Sequence, residues 1–211
     1  MRLWLGAAII RLEPLLRFHI ISKQVESYRN MSPHLKAASD YASRLGMFRA
    51  RDMVAAGYPR EYLRRLVLQE QVRQLGRGLY ASAGFDGDQH QSLVEAAKRV
   101  SRGVVCLLSA LQFHVIGTQS PHQVWIALPR GSNRPHVVDL PLRFCQFSGD
   151  AYTFGVQEHA LAGGTVRVYS PAKTVADCFK YRQKYGIDVA VESLREGWRG
   201  RKFSMQDLTE A

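Results

Sequence analysis

Between positions 34 and 45 the apolar residues Leu35, Ala38, Tyr41, Ala42 and Leu45 recur at spacings of three and four, which predicts an amphipathic helix closed by Gly46. Phe48 begins a short β segment, residues 51–56 form a second short helix ended by Gly57, and Pro59 opens a third at its first turn, where a missing N–H costs nothing. On the third helix Leu63, Leu66 and Val67 share the face that locks it to the first two. Its opposite side is expected to present Arg60, Arg64 and Arg65, together with Tyr62 and Gln69. Period-two alternation follows in Val72-Arg73-Gln74-Leu75 and Leu79-Tyr80-Ala81-Ser82. These paired strands turn through Gly76-Arg77-Gly78, where two glycines permit positive φ and Arg77 is pushed to the tip.

The polar segment Gly84-Phe85-Asp86-Gly87-Asp88 reads as a linker and sets a domain boundary near residue 85. Beyond it, Leu93, Ala96, Ala97 and Val100 mark a helix over 91–100, Gly103 breaks it, and 107–115 makes another. Strand-like runs cover 124–128, 137–147, 152–158 and 165–169. Ser170-Pro171 caps a helix reaching residue 184, and 187–194 gives one more. The expected fold class is α+β, with an N-terminal winged helix-turn-helix over 31–84 and a mixed α/β domain over 85–211.

Charge sharpens the first of these domains. The chain carries a formal net charge of +11, and residues 31–84 hold 9 basic against 4 acidic residues, whereas 85–211 hold 15 against 12. The remaining +3 lies in residues 1–30, so in the folded part excess positive charge per residue concentrates on the helix-turn-helix, and an anionic partner such as double-stranded DNA is the expected match. Arg60 and Arg64, one helical turn apart, can both point into a major groove, where arginine grips guanine O6 and N7. Arg65, Arg73 and Arg77 are assigned to phosphates, and Tyr62 and Gln69 complete the expected DNA-binding set.

Residues 1–30 stand apart. Their apolar run Leu3-Trp4-Leu5-Gly6-Ala7-Ala8-Ile9-Ile10 is too short to span a bilayer, and no small-x-small cleavage site follows it. Met31-Ser32-Pro33 has the look of a natural start, which makes 1–30 an upstream extension. Cys106, Cys145 and Cys178 form no CxxC pair and are read as reduced, buried thiols of a cytoplasmic protein. The seven histidines make no HxxxH or HExxH pair, so neither a metal nor a cofactor is expected.

Three passages resemble the AbiEi-type antitoxins of bacterial type IV toxin–antitoxin systems. They are Gly76-Arg77-Gly78-Leu79-Tyr80, Val124-Trp125-Ile126-Ala127-Leu128-Pro129, and Tyr169-Ser170-Pro171-Ala172-Lys173-Thr174-Val175-Ala176-Asp177-Cys178-Phe179-Lys180-Tyr181-Arg182. The resemblance covers residues 34–208. It implies a winged helix joined to a C-terminal antitoxin domain, binding to the chain's own promoter as an autorepressor, and antagonism of a nucleotidyltransferase-like toxin. A monomer or a homodimer on inverted repeats is compatible with the motif. Members of the family continue through another helix of about twenty residues, close to 30 Å, beyond the position of Ala211, so by that comparison the C-terminus is truncated.

Bland explanations compete for several of these residues. The arginines of the third helix could be a solvated face, with Glu61 and Arg65 paired at i, i+4. Ser170-x-x-Lys173 has the spacing of an acyl-transfer nucleophile, but capping explains Ser170, Lys173 can pair with Asp177, and no Lys-Thr-Gly or Ser-Asp-Asn partner occurs. Lys173, Asp177, Lys180, Tyr181 and Arg182 form either a solvated outer face or a surface for antagonising the toxin, with Val175, Cys178 and Phe179 turned to the core. Trp125, Phe144, Phe147 and Phe154 are read as core rather than a base-stacking surface. Two other functions stay open: a stand-alone regulator whose second domain senses a ligand or mediates assembly, and a metal-dependent nuclease using Asp139, Asp150, Glu158 and Asp177.

Overall fold

The computed structural model describes residue 22, residues 25–87 and residues 89–211; most of the proposed N-terminal extension lies outside these. The class is mixed α and β, and the chain divides into two compact units, Met1–Asp86 and Gly87–Ala211.

In the first unit the elements run α1 (Pro33–Leu45), β1 (Met47–Arg49), α2 (Ala50–Ala55), α3 (Arg60–Leu68), β2 (Val72–Gly76) and β3 (Leu79–Ser82). Pro33 occupies the first turn of α1, and Gly46 ends it at φ 65, a conformation costly for any residue with a Cβ. The three strands form an antiparallel sheet in the order β1-β3-β2. Leu35, Ala38, Ala42, Phe48, Met53, Leu63, Leu66 and Val72 make one buried core from all three helices and the sheet. Helix α3 is thus pinned along its inner face while the β2–β3 hairpin extends beside it. The turn differs in detail from expectation. Gly76 stays in its strand opposite Leu79, and Gly78 alone takes positive φ, at 72.

The second unit contains α4 (Gln91–Arg99), β4 (Val104–Val105), α5 (Leu107–His114), β5 (Val124–Pro129), β6 (Leu142–Phe147), α6 (Asp150–Thr153), β7 (Val156–Leu161), β8 (Gly164–Tyr169), α7 (Pro171–Lys180), α8 (Arg182–Tyr185), α9 (Ile187–Arg199) and α10 (Met205–Glu210). Its mixed sheet has the order β6-β5-β4-β8-β7, with β4–β8 and β5–β6 parallel and the other pairs antiparallel. Residues 124–128 of β5 are all buried, as expected of a strand covered on both faces. Helix α4 packs on β8 and β5, while α5, α9 and α10 all pack on α7.

Several boundaries differ from the sequence pattern. The strand expected over 137–147 is confined to Leu142–Phe147, after a segment containing Pro135 and Pro141, which cannot donate to a ladder. The run 152–158 splits into the helical turn α6 and the start of β7, separated by Gly155 at φ 69. The long helix after Ser170 breaks at Tyr181 into α7 and α8. The two-residue strand β4 and the helix α10 went unanticipated, because neither is long enough to show a period.

Candidate nucleic-acid interface

Helix α3 rotates about its axis so that Leu63 and Leu66 are buried and Arg60, Glu61, Arg64, Arg65 and Leu68 are exposed. Leu68 is 71% exposed, an apolar side chain standing among the arginines. Glu61 accepts from Arg64 Nε at 3.1 Å and from Arg65 Nε at 3.1 Å, and these donors hold its carboxyl below the usual carboxylate range. Arg60 has no hydrogen-bond or ion-pair partner among the described residues. The i, i+4 pairing of Glu61 with Arg65 is present, as the solvated-face explanation expects.

A cleft of about 400 Å³ opens between α3, the start of α2 and the hairpin, lined in part by Arg60, Arg64, Leu68, Gln74, Gly78 and Tyr80. The Ala50 N–H donates to Gly78 O at 3.2 Å and ties the hairpin turn to the first residue of α2. Exposed Arg77 precedes that glycine, and exposed Arg51 follows Ala50.

Three expected contacts are not on this face. Tyr62 is half-buried and packs on the core, because at 3.6 residues per turn it lies about 40° from Leu66 around the helix axis. Gln69 ends α3 half-buried, with its Oε1 buried and without a hydrogen-bond partner among the described residues. Arg73 is exposed, but alternation places it on the sheet face opposite Val72 and Gln74, and its guanidinium donates to Phe85 O at 3.0 Å. Sequence reasoning missed Glu61 as a bridge between two arginines and Leu68 as an exposed member of the face. The helical angle of Leu68, between Arg64 and Arg65, carried that signal.

In the second unit, the proposed polar outer face of α7 is overturned for two of its five residues. Lys173 and Asp177 are both 2% exposed, and their side chains pair inside the core. The Lys173 ammonium also lies over the Phe147 and Tyr169 rings, 5.2 and 5.3 Å from their centroids. Tyr181 is half-buried and meets the Phe147 ring edge-on. Lys180 and Arg182 remain exposed, Arg182 donating to Phe179 O at 2.9 Å. The physical reason is that α5, α9 and α10 surround α7, which leaves no continuous free side.

Ser170 caps α7 by accepting from the Lys173 N–H at 3.4 Å, while the Lys173 ammonium goes to Asp177. Of the carboxylates considered for metal chemistry, Asp150 and Asp177 line one cleft, Asp139 pairs with Arg99, and Glu158 faces Arg167 across β7 and β8. Among the described residues no group of three or more His, Cys, Asp or Glu side chains could hold a metal ion. Trp125 and Phe147 are core residues, Phe144 is half-buried, and Phe154 is 40% exposed, against the expectation that it packs inside. Cys106 and Cys178 are buried free thiols and Cys145 is half-buried; burial pushes the Cys178 thiol up to about 12. No helix among the described residues is long and apolar enough to cross a membrane.

The element order of the first unit, with an arginine-bearing third helix beside a two-stranded hairpin, is that of a winged helix-turn-helix. Residues 37–83 match the family model described as "Transcriptional regulator, AbiEi antitoxin", which takes in α3 and the whole hairpin. No curated protein matches the chain. Among solved structures, the fold is similar to the crystal structure of the RV2827C protein from Mycobacterium tuberculosis, at 14% identity and a TM-score of 0.54, covering 85% of this chain and 71% of that one. At that identity the likeness concerns the fold alone.

Proposed function

We propose that this chain represses its own operon by binding double-stranded promoter DNA, and counteracts a nucleotidyltransferase-like toxin. The carrying observation is that the matched segment 37–83 contains an exposed helix face bearing Arg60, Arg64 and Arg65 beside a hairpin tipped by Arg77. With α3 in the major groove, Arg60 and Arg64 read guanine edges and Leu68 packs on a thymine methyl. Arg65 and Arg77 neutralise phosphates, so affinity falls steeply with salt. The Arg64 and Arg65 guanidiniums must leave Glu61 to do so. This role needs no catalytic residue and no cofactor.

The deciding experiment is a gel shift on the upstream region with the wild type and the Arg60→Ala/Arg64→Ala double variant. Preference for the upstream region over random DNA, lost in the double variant, is expected. Equal affinity for both, unchanged by the substitutions, sinks the reading. The match stops at residue 83, and this favours, as the second reading, a regulator whose α/β unit senses a ligand or mediates assembly. Rescue of growth on co-expression with the toxin separates the two: failure of rescue with DNA binding intact selects the regulator.

A further inference from the structure

Helix α9 carries an apolar stripe that its own unit leaves partly uncovered. Ile187, Val191, Leu194 and Trp198 follow at spacings of four, three and four, so they line up within about 60° around the helix axis. Val189, Ala190, Ser193 and Gly197 are the buried side of the same helix. Val191 and Leu194 are half-buried, whereas Ile187 is 53% and Trp198 51% exposed. Such a four-three-four spacing is the seam by which one helix pairs with another.

The charges beside the stripe say which partner fits. Asp188 and Glu192 lie along its solvent flank in the first half of α9, and Arg195 and Arg199 lie along the same flank in the second half. Glu192 is held by Thr118, and Arg199 sits 3.8 Å from Glu196. Asp188 and Arg195 are exposed and have no ion-pair partner among the described residues. A second α9 laid antiparallel about a two-fold axis sets Ile187 against Trp198 and Val191 against Leu194. It also brings Asp188 of each copy beside Arg195 of the other. A parallel two-fold copy would place the two charged flanks on opposite sides of the seam and leave Asp188 and Arg195 without cross-partners.

We propose that α9 is a self-association surface, taking a second copy of this chain in an antiparallel, two-fold pair. The seam is short, about 17 Å at 1.5 Å per residue, so association is in the micromolar range and reversible. It is independent of the DNA-binding reading, because it is measured without DNA.

Sedimentation equilibrium of the full chain from about 1 to 200 μM tests it. A concentration-dependent monomer–dimer equilibrium is expected. Trp198→Glu, at an exposed position, abolishes the dimer, with circular dichroism checking that the fold is kept. Asp188→Arg weakens it about tenfold, and the double variant Asp188→Arg/Arg195→Asp restores it, because both cross-pairs are exchanged. A monomer throughout the range overturns the proposal. So does a dimer that survives Trp198→Glu, or a double variant no tighter than the single.

Discussion

The Lys173 ammonium lies 2.5 Å from Asp177 Oδ1 with 3% of either side chain exposed, an ion pair in the core of the second unit. Burial drives the Asp177 carboxyl above the usual carboxylate range, against the downward pull of Lys173, and its Oδ2 has no hydrogen-bond partner among the described residues. Removing one member of such a pair strands the other charge. Lys173→Met is therefore expected to cost about 3–5 kcal/mol in urea unfolding, and Lys173→Met/Asp177→Leu distinctly less. A carboxyl that holds its proton more tightly when folded loses stability as pH rises from its ordinary 3.8 through the folded value. The single variant should accordingly recover stability on acidification across that interval, and a pH-independent loss would count against the assignment.

Glu61 holds Arg64 and Arg65 on the helix face assigned to DNA. Glu61→Gln removes the negative charge that competes with phosphate for both guanidiniums. Affinity for operator and random DNA alike should rise, as read by fluorescence anisotropy at two salt concentrations. Weaker binding of operator with random DNA unaffected would instead make Glu61 a base-reading residue.

His114 Nε2 donates to Tyr169 O at 2.7 Å, and burial lowers the ring's proton affinity, helped by the nearby His159 and Lys202. A base whose folded value lies below its ordinary 6.5 binds its proton more readily when unfolded. Stability is then full above 6.5 and declines as pH falls from there through the folded value. Thermal melts of His114→Gln across this window should show a flatter decline than the wild type. Parallel declines would remove His114 as its source.

Gly78 turns the hairpin at φ 72, and a Cβ placed there would meet nothing within 4 Å. The cost of Gly78→Ala is therefore backbone strain alone, about 1–2 kcal/mol. A lowered melting temperature together with weaker DNA binding is expected, since Arg77 adjoins this turn. Unchanged binding would take the hairpin tip out of the interface.

Much of the first unit was legible because each of its elements has a local cause. Gly46 and Gly57 stop helices, Pro59 starts one, and Leu63 and Leu66 declare the inner face of α3. The second unit was less so. Val104–Val105 is too short to show alternation, yet it is the central strand linking β5 to β8. Phe154 looked like core by residue type, but the helical turn Asp150–Thr153 leaves it exposed. Tyr62 and Gln69 were placed outward by chemistry, although the helical period sets both beside Leu66 at the edge of the buried face.

The sequence alone determined the order of helices and strands in the first unit and the presence of arginines on α3 and in the hairpin turn, since period, capping and turn chemistry are written locally. It also showed that Lys173 and Asp177 could pair. Only the tertiary structure decided where that pair sits and which half of α3 stays open. A side chain's burial depends on what packs across from it: α7 is enclosed by α5, α9 and α10, whereas Arg60, Arg64 and Leu68 remain exposed beside their cleft.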